Sequence, residues 1–198
     1  MPTKKLIAQA AEAKIFRIDD LVIKDRIPKG YRHPELDKKI IKQRTKKESK
    51  ILEKAHKLIG SPLPTKTTNN EITMPFIDGK KLSESLEELD YKELCKQIAE
   101  KIAKLHDNNI IHGDLTTSNM ILDKKGEVIF IDFGLGFTSS RNEDKAVDLH
   151  LIKQALEAKH FSIWKECWRV IHENYNSKDR EKTLEQLKKV EIRGRYKH

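Results

Sequence analysis

Cysteine, tryptophan and long apolar runs are scarce in this sequence of 198 residues. The two cysteines, Cys95 and Cys167, are too few for a disulfide framework or, by themselves, for a zinc site. No run approaches the roughly 18 consecutive apolar residues that a membrane-spanning helix needs. The first ten residues, MPTKKLIAQA, lack the apolar core and cleavage site of a signal peptide. These absences argue against a secreted or membrane protein, so we expect a cytoplasmic chain with reduced thiols.

Acidic residues are fewer than basic ones: the chain has 31 Asp and Glu and 40 Lys and Arg, which gives a formal net charge of +9. Residues 24–50 contain eleven of the cations and only four carboxylates, and residues 188–198 contain five cations and one carboxylate. A basic helix and a basic tail of this kind favour contact with the phosphates of a nucleic acid, and the last five residues, GRYKH, are expected to be loose. A solvated, lysine-rich helix face is an equally common explanation, so the charge alone leaves both readings open.

The order of apolar patterns divides the chain into a strand-rich part and a helix-rich part. Short alternating segments predict an antiparallel meander in the first 26 residues, followed by a loop and a helix over residues 35–58. After residue 78 the spacing becomes helical, apart from a strand pair at residues 120–131. We therefore predict an α+β protein with two lobes, at residues 1–77 and 78–198.

The most specific chemical motif lies within the segment IHGDLTTSNMIL, at residues 111–122. It matches H-x-D-L-x-x-x-N before an apolar strand, which is the catalytic-loop pattern of kinases. In that pattern the aspartate, here Asp114, orients an attacking hydroxyl and accepts its proton. The asparagine, here Asn119, offers an amide oxygen to a magnesium ion.

Two further elements complete a kinase pattern. Asp132 opens the triplet Asp-Phe-Gly thirteen residues beyond Asn119, where a carboxylate can bind magnesium on the phosphates of ATP. Lys24 ends an apolar strand and is expected to neutralise those phosphates while a helical glutamate holds it. Glu48 is the preferred partner and Glu53 the alternative; five positions apart, they project about 140° apart around a helix.

Several standard kinase features are absent. The turn expected over the phosphates contains no glycine, no Ala-Pro-Glu follows the Asp-Phe-Gly, and Gly113 stands where arginine usually precedes the catalytic aspartate. Switching by activation-loop phosphorylation is therefore not expected. The residues of the turn are nevertheless predicted to contact ATP: Gln9, Ala10, Ala11, Glu12 and Ala13.

Four apolar residues complete the predicted nucleotide site. Met74, Phe76 and Ile77 lie near the junction of the two lobes, where a kinase hinge contacts adenine, and Ile15 follows the phosphate turn. For Met74, a place in the ordinary core is an equally good reading.

One run of sequence is more specific than the kinase motifs. Residues 23–37 read IKDRIPKGYRHPELD, and this run resembles the signature of the small atypical kinase of the KEOPS (EKC) complex, the PRPK family. The Ala-Glu-Ala turn, Arg44-Thr45, the catalytic loop and Arg193-Gly194-Arg195 resemble the same family, so the match covers essentially the whole chain. Gln9 departs from it, because glycine is expected there.

The resemblance implies a reduced two-lobed protein-kinase fold and a Mg²⁺- and ATP-dependent serine/threonine kinase or ATPase. It also implies a role in making threonylcarbamoyladenosine on tRNA. The implied partners are the metal-binding, ASKHA-fold threonylcarbamoyl transferase (to which such kinases are sometimes fused), a small regulatory subunit on the N-terminal lobe, and tRNA on the basic surface and tail.

Three other readings remain. His-Gly-Asp also opens the catalytic loop of small-molecule phosphotransferases, although little chain follows Gly134 to build their substrate-binding helices. A RIO-type kinase is a nearer relative, but the intact Asp-Phe-Gly argues against it. A nucleotide-sensing scaffold that binds tRNA and partner subunits is the non-enzymatic alternative.

Overall fold

The structure, a computed structural model, describes residues 4–9 and 12–195, and the side chains of residues up to 193. The contacts of the chain divide it into two compact units, Met1–Ile77 and Asp78–His198. Ala10 and Ala11 of the predicted phosphate turn lie outside the described residues.

The first unit is an antiparallel sheet with one long helix. Its five strands lie in the order β1-β2-β3-β5-β4. Asp19, in the left-handed region at φ 51°, closes the tight turn between β2 and β3. The elements are β1 (Lys5–Gln9), β2 (Ala13–Ile18), β3 (Leu21–Arg26), α1 (Pro34–Ile59), β4 (Lys66–Thr67) and β5 (Glu71–Pro75).

Helix α1 has clear signals at both ends. Pro34 occupies its first turn, and Gly60 ends it in the left-handed conformation with its N–H bonded to the carbonyl of His56. Of the seven apolar residues that the sequence pattern predicts to be buried, Ile41, Ile51, Leu52 and Ala55 are buried, Ile40 and Leu58 are half-buried, and Leu36 is exposed. The buried face also holds four polar residues: Asp37, Thr45, Glu48 and Ser49. Buried polar groups need hydrogen-bond partners, so this face of α1 forms polar contacts as well as apolar packing.

The second unit is mostly helical and contains two small sheets, β6-β8-β9 and β7-β10. Helix α3 begins where the Asp90 carboxylate accepts the N–H of Glu93, and its apolar face packs on α5. The elements are β6 (Gly79–Lys81), α2 (Leu82–Ser85), α3 (Tyr91–Asp107), β7 (Ile110–Ile111), β8 (Met120–Asp123), β9 (Val128–Phe130), β10 (Phe137–Thr138), α4 (Asn142–Lys159), α5 (Trp164–Asn174) and α6 (Arg180–Arg195).

The end of α6 corrects one prediction. Gly194 and Arg195, the first two of the five residues expected to be loose, belong to the helix, and residues 196–198 lie outside the described residues. Ion pairs between α6 and α4, Lys153 with Glu191 and Arg193 with Glu143, hold the last described turns in place. None of the helices in the described part of the chain combines the length and the apolar character needed to cross a membrane.

Candidate functional site

The catalytic-loop motif connects β7 to β8 and brings Asp114 and Asn119 into direct contact. The amide Nδ2 of Asn119 donates to the backbone carbonyl of Asp114 at 2.9 Å and to its carboxylate Oδ2 at 2.8 Å. These two bonds fix the carboxylate of Asp114. They use the amide nitrogen alone and leave the Oδ1 atom of Asn119 for the role of metal ligand.

A buried aspartate of α4 supports this loop from behind. The carboxylate of Asp148 accepts the backbone N–H of His112 at 2.7 Å and that of Gly113 at 2.9 Å, and it lies 3.3 Å from Nε2 of His106. The other ring nitrogen of His106 bonds to the hydroxyl of Tyr175 at 2.8 Å. The role of Asp148 is not predicted from the sequence. The available signal was an aspartate on the apolar stripe of a helix, four residues before the buried Ile152.

His112 connects the catalytic loop to the strand that precedes Asp132. Its Nε2 lies 3.1 Å from the carbonyl of Ile131, and its Nδ1 lies 3.3 Å from the N–H of Asp114, so the bonds assign the proton to Nε2. Burial lowers the pKa of His112 and keeps the ring neutral. Because the ring also packs on buried Phe133, 4.5 Å between centroids, the Asp-Phe-Gly triplet and the catalytic loop hold each other.

The glycine before the catalytic aspartate is required by the backbone. Gly113 has φ +79°, and a Cβ placed there would meet the carbonyl oxygen of Leu135 at 2.5 Å. A side chain at this position is therefore excluded by both conformation and space. This explains in physical terms why arginine is absent here.

Asp132 follows β9 in a conformation that only a few residue types tolerate. Its φ is 61°, and its Oδ1 accepts the N–H of Gly134 at 3.1 Å. The backbone bond from Ile131 to the carbonyl of Asn119, at 2.9 Å, joins the two stretches that carry the predicted magnesium ligands.

One carboxylate and one amide oxygen fit Mg²⁺, which takes few protein ligands and completes its shell with phosphate and water. A group of three His, Cys, Asp or Glu side chains suited to a metal is not found among the described residues. Such a group is not needed for an ion carried in with a nucleotide, so the donor set agrees with the predicted use of magnesium.

In the first unit, the predicted lysine and glutamate are paired. Nζ of Lys24 lies 2.7 Å from Oε1 of Glu48, and both side chains are buried. Glu53, the alternative partner, is exposed. The other oxygen of Glu48 binds Arg26. This contact is not predicted from the sequence, although Arg26 follows Lys24 by two positions and so shares its face of β3.

Glu12 extends this pair into a network. Both of its carboxylate oxygens bind Nη1 of Arg44, the longer contact at 2.6 Å, and one lies 3.4 Å from Nη1 of Arg26. The hydrogen bond from Arg44 is the main cause that lowers the pKa of Glu12 and keeps it ionised. The predicted phosphate turn is thus tied to α1 through a carboxylate.

The remaining predicted nucleotide contacts lie in or beside the sheet. Gln9 ends β1, Ala13 begins β2, and Ile15 pairs with Lys24 across β2 and β3. Met74 pairs with Val22, the ring of Phe76 lies 3.8 Å from the guanidinium of Arg17, and Ile77 is half-buried. Their contact with a nucleotide stays a prediction.

Comparison with solved structures identifies the fold, and a family model identifies the class of protein. The chain superposes on the Rio2 kinase–ADP/Mg²⁺–phosphoaspartate complex from Chaetomium thermophilum with a TM-score of 0.66 and 15% identity, over 96% of this chain and 70% of that one. The RIO domain family matches residues 9–163. The protein-kinase-like fold is therefore confirmed. The argument against a RIO-type kinase was wrong, because an intact Asp-Phe-Gly does not separate this chain from RIO domains.

Sequence relatives narrow the class further. The KEOPS complex subunit Bud32 of Pyrococcus abyssi is 39% identical over 98% of this chain and 96% of its own length. A probable bifunctional tRNA threonylcarbamoyladenosine biosynthesis protein of Methanocaldococcus jannaschii is 43% identical over 96% of this chain, which spans only 37% of that relative. The chain belongs to the Bud32 family of RIO-domain proteins, as the sequence resemblance indicated.

Proposed function

We propose that this chain is an ATP- and Mg²⁺-dependent serine/threonine kinase or ATPase that acts as a KEOPS subunit in tRNA threonylcarbamoyladenosine biosynthesis. The observation that carries the proposal is the pair of hydrogen bonds from Asn119 to Asp114, because they fix a carboxylate beside an amide oxygen on a kinase-type loop. The names of the relatives support the biological setting.

Each predicted residue has a defined task in this proposal. Asp114 orients the attacking hydroxyl, from serine or from water, and accepts its proton. Lys24, held by Glu48, neutralises nucleotide phosphates, while Asn119 and Asp132 hold magnesium. When bound, the ion neutralises charge that develops on the phosphates. His112 contributes by position, since a neutral ring accepts the N–H of Asp114 and adds no charge beside its carboxylate.

The proposed partners follow from the relatives. Because this chain corresponds to about a third of the bifunctional relatives, the remainder of such proteins represents a fused partner, proposed here to be the ASKHA-fold threonylcarbamoyl transferase. A small regulatory subunit is proposed to bind residues 1–77.

A row of lysines on α1 supports contact with tRNA. Lys38, Lys42, Lys46, Lys50 and Lys54 recur every fourth residue, and all five are exposed. Within the described part of the chain, none of the five forms an ion pair with a carboxylate. Each step of four residues advances about 6 Å along the helix and turns about 40° around it, so neighbouring lysines are adjacent and the row winds along the exposed surface of α1 over about 24 Å. We assign this lysine row to the sugar–phosphate backbone of tRNA.

The test follows the labelled γ-phosphate of ATP with the pure chain, and then with the transferase and tRNA added. Label on protein identifies a kinase, and free phosphate that depends on the partner identifies a coupled ATPase. Asp114→Asn, which keeps the size of the side chain, is expected to lower either rate by at least about a hundredfold. Label that moves in no mixture would contradict the proposal and favour the scaffold.

A further inference from the structure

A buried histidine that the proposed function does not use contacts the catalytic loop. His160 is 2% exposed, and Nε2 of its ring lies 3.1 Å from Oγ1 of Thr117, a side chain with no exposed surface. The two residues are 43 positions apart in the sequence, so the contact exists only in the folded chain. Neither residue is specified by the kinase pattern H-x-D-L-x-x-x-N, in which Thr117 occupies a variable position.

The backbone fixes His160 at the junction of α4 and α5. Its N–H donates to the carbonyl of Leu156 at 2.8 Å, which closes the last turn of α4. Its carbonyl accepts the N–H groups of Ile163, at 3.1 Å, and of Trp164, at 2.8 Å, where α5 begins. Because the main chain is bound on both sides, the ring of His160 contacts Thr117 from a fixed point.

Thr117 opens the single 3₁₀ turn Thr117–Asn119, which contains one of the proposed metal ligands. The N–H of Asn119 donates to the carbonyl of Thr116 at 3.0 Å, and the N–H of Met120 donates to the carbonyl of Thr117. Such turns have poorer hydrogen-bond geometry than an α-helix, so a single turn depends on contacts from the rest of the fold. The bond to His160 is a contact of this kind, two positions before Asn119.

The position of this turn decides where the amide oxygen of Asn119 lies. The amide nitrogen is bound to Asp114, which leaves Oδ1 as the atom that can bind a metal ion. Bonds to Mg²⁺ are about 2.0–2.1 Å long and nearly octahedral, so a small displacement of one ligand weakens binding. Loss of a residue that holds a metal ligand in place typically reduces metal affinity about 10–100-fold.

We infer that His160 is a positioning residue, which acts through Thr117 to hold Asn119 where it can bind Mg²⁺. The inference rests on the proposed function, since that function assigns the metal to Asn119. A hydrogen bond between two buried groups suits this task because it fixes the turn without touching the metal or the nucleotide. Removal of either partner leaves the other polar group buried without this bond and loosens the turn.

The test is calorimetric titration of the full chain with ADP at a series of Mg²⁺ concentrations. His160→Leu and Thr117→Val should each raise the Mg²⁺ concentration that half-saturates the ADP complex about tenfold. Their affinity for ADP without Mg²⁺ should stay within about twofold of the parent, because the nucleotide itself is not bound by either residue. His160→Gln, whose amide can replace the Nε2 group, should restore the Mg²⁺ dependence of the parent. Thr117→Val nearly preserves the side-chain volume, so it remains informative if His160→Leu unfolds.

Hydrogen exchange of the nucleotide-free chain provides a measurement that needs no ligand. The amides of Asn119 and Met120 should exchange about tenfold faster in His160→Leu and Thr117→Val than in the parent or in His160→Gln. The double variant should resemble either single variant, because both substitutions remove the same bond.

Thr183→Val is the matched control. Thr183 of α6 also has no exposed surface, and its hydroxyl lies 3.4 Å from Oδ1 of Asn142, so the same buried hydroxyl is removed elsewhere in the unit. A dependence on Mg²⁺ that is unchanged in His160→Leu and Thr117→Val, or raised equally in Thr183→Val, would overturn the inference and leave the proposed function standing. If Mg²⁺ does not affect ADP binding by the parent, the proposed function itself is contradicted, and the inference with it.

Discussion

At the scale of single residues, the backbone of the catalytic loop restricts position 113 to glycine. Gly113 and Gly126 both have positive φ, but only Gly113 has a backbone carbonyl where a Cβ would lie. Alanine at either position carries the cost of the left-handed conformation, about 1–2 kcal/mol. At Gly113 a clash with the main chain adds to that cost, since the carbonyl of Leu135 cannot rotate away as a side chain would.

Gly113→Ala is therefore expected to lower the free energy of unfolding by about 3 kcal/mol or more, and Gly126→Ala by about 1 kcal/mol. Urea titration of both variants, followed by circular dichroism, measures the difference. Equal losses in the two variants would show that the contact with Leu135 does not determine the choice of glycine.

Some residues of the candidate site can be predicted from the sequence and others cannot. Asp114, Asn119 and Asp132 are readable because their spacing is fixed by short stretches of chain. Asp148 and Arg26 were missed because their partners lie 35 or 36 and 22 positions away, and no local pattern records such contacts. Lys24 and Glu48 are also far apart, at 24 positions; the kinase pattern predicts the pair, and the nearby Ile51 and Leu52 favour Glu48 over Glu53.

At the scale of elements, helix α1 has two faces with different tasks. Its buried face brings Glu48 between the two cations of β3, Lys24 and Arg26. Removing the charge of Glu48 leaves both cations buried without their shared partner, which typically costs about 3–5 kcal/mol. The exposed Glu53, on the same helix, has no such surroundings.

Glu48→Gln should therefore lower the free energy of unfolding by several kcal/mol and weaken ATP binding, while Glu53→Gln should leave both within error. Urea titration and a fluorescent ATP analogue provide the two measurements. Similar behaviour of the two variants would remove Glu48 from its assigned role.

The proposed contact between the lysine row of α1 and tRNA is tested by the salt dependence of the tRNA affinity. Replacing Lys42, Lys46 and Lys50 together by glutamine removes three phosphate contacts and should reduce the slope of log affinity against log salt by about 2 to 3 units. Filter binding of tRNA between low and physiological salt measures the slope. The matched control replaces Lys92, Lys96 and Lys165 of helices α3 and α5, and an equal effect there would mean that binding follows net charge alone.

The helix also illustrates the limit of periodicity as a predictor. The apolar pattern locates α1 within a residue at each end, because Pro34 and Gly60 mark its boundaries. It favours Glu48, which lies near Ile51 and Leu52, but gives no sign that Asp37, Thr45 and Ser49 are buried on the same face. Periodicity counts apolar residues and does not record the hydrogen-bond partners of these four. Glu48 binds β3 and Ser49 binds Thr67, while Asp37 binds the loop before α1 and Thr45 binds the carbonyl of Ile41 in the helix itself.

At the scale of the whole molecule, three histidines connect stability to pH. Burial is the main cause that lowers the pKa values of His112, His160 and His172 below the ordinary value of 6.5. As pH falls below 6.5, the unfolded chain takes up protons that the native chain does not. The free energy of unfolding therefore falls with pH in this window. Carboxylates such as Glu166, whose pKa is lowered to about 2 by Arg169, change the free energy of unfolding only at more acidic pH.

We therefore expect the unit Asp78–His198, which contains all three histidines, to lose stability steadily between pH 7 and pH 5. Both tryptophans, Trp164 and Trp168, lie in α5 of this unit, so intrinsic fluorescence during urea titration reports on it directly. Replacing His160 and His172 by glutamine should flatten the dependence on pH, because only His112 of the three then remains. Replacing the exposed His33 in the other unit is the control, and a dependence that is unchanged by the double substitution would assign the acid sensitivity to other groups.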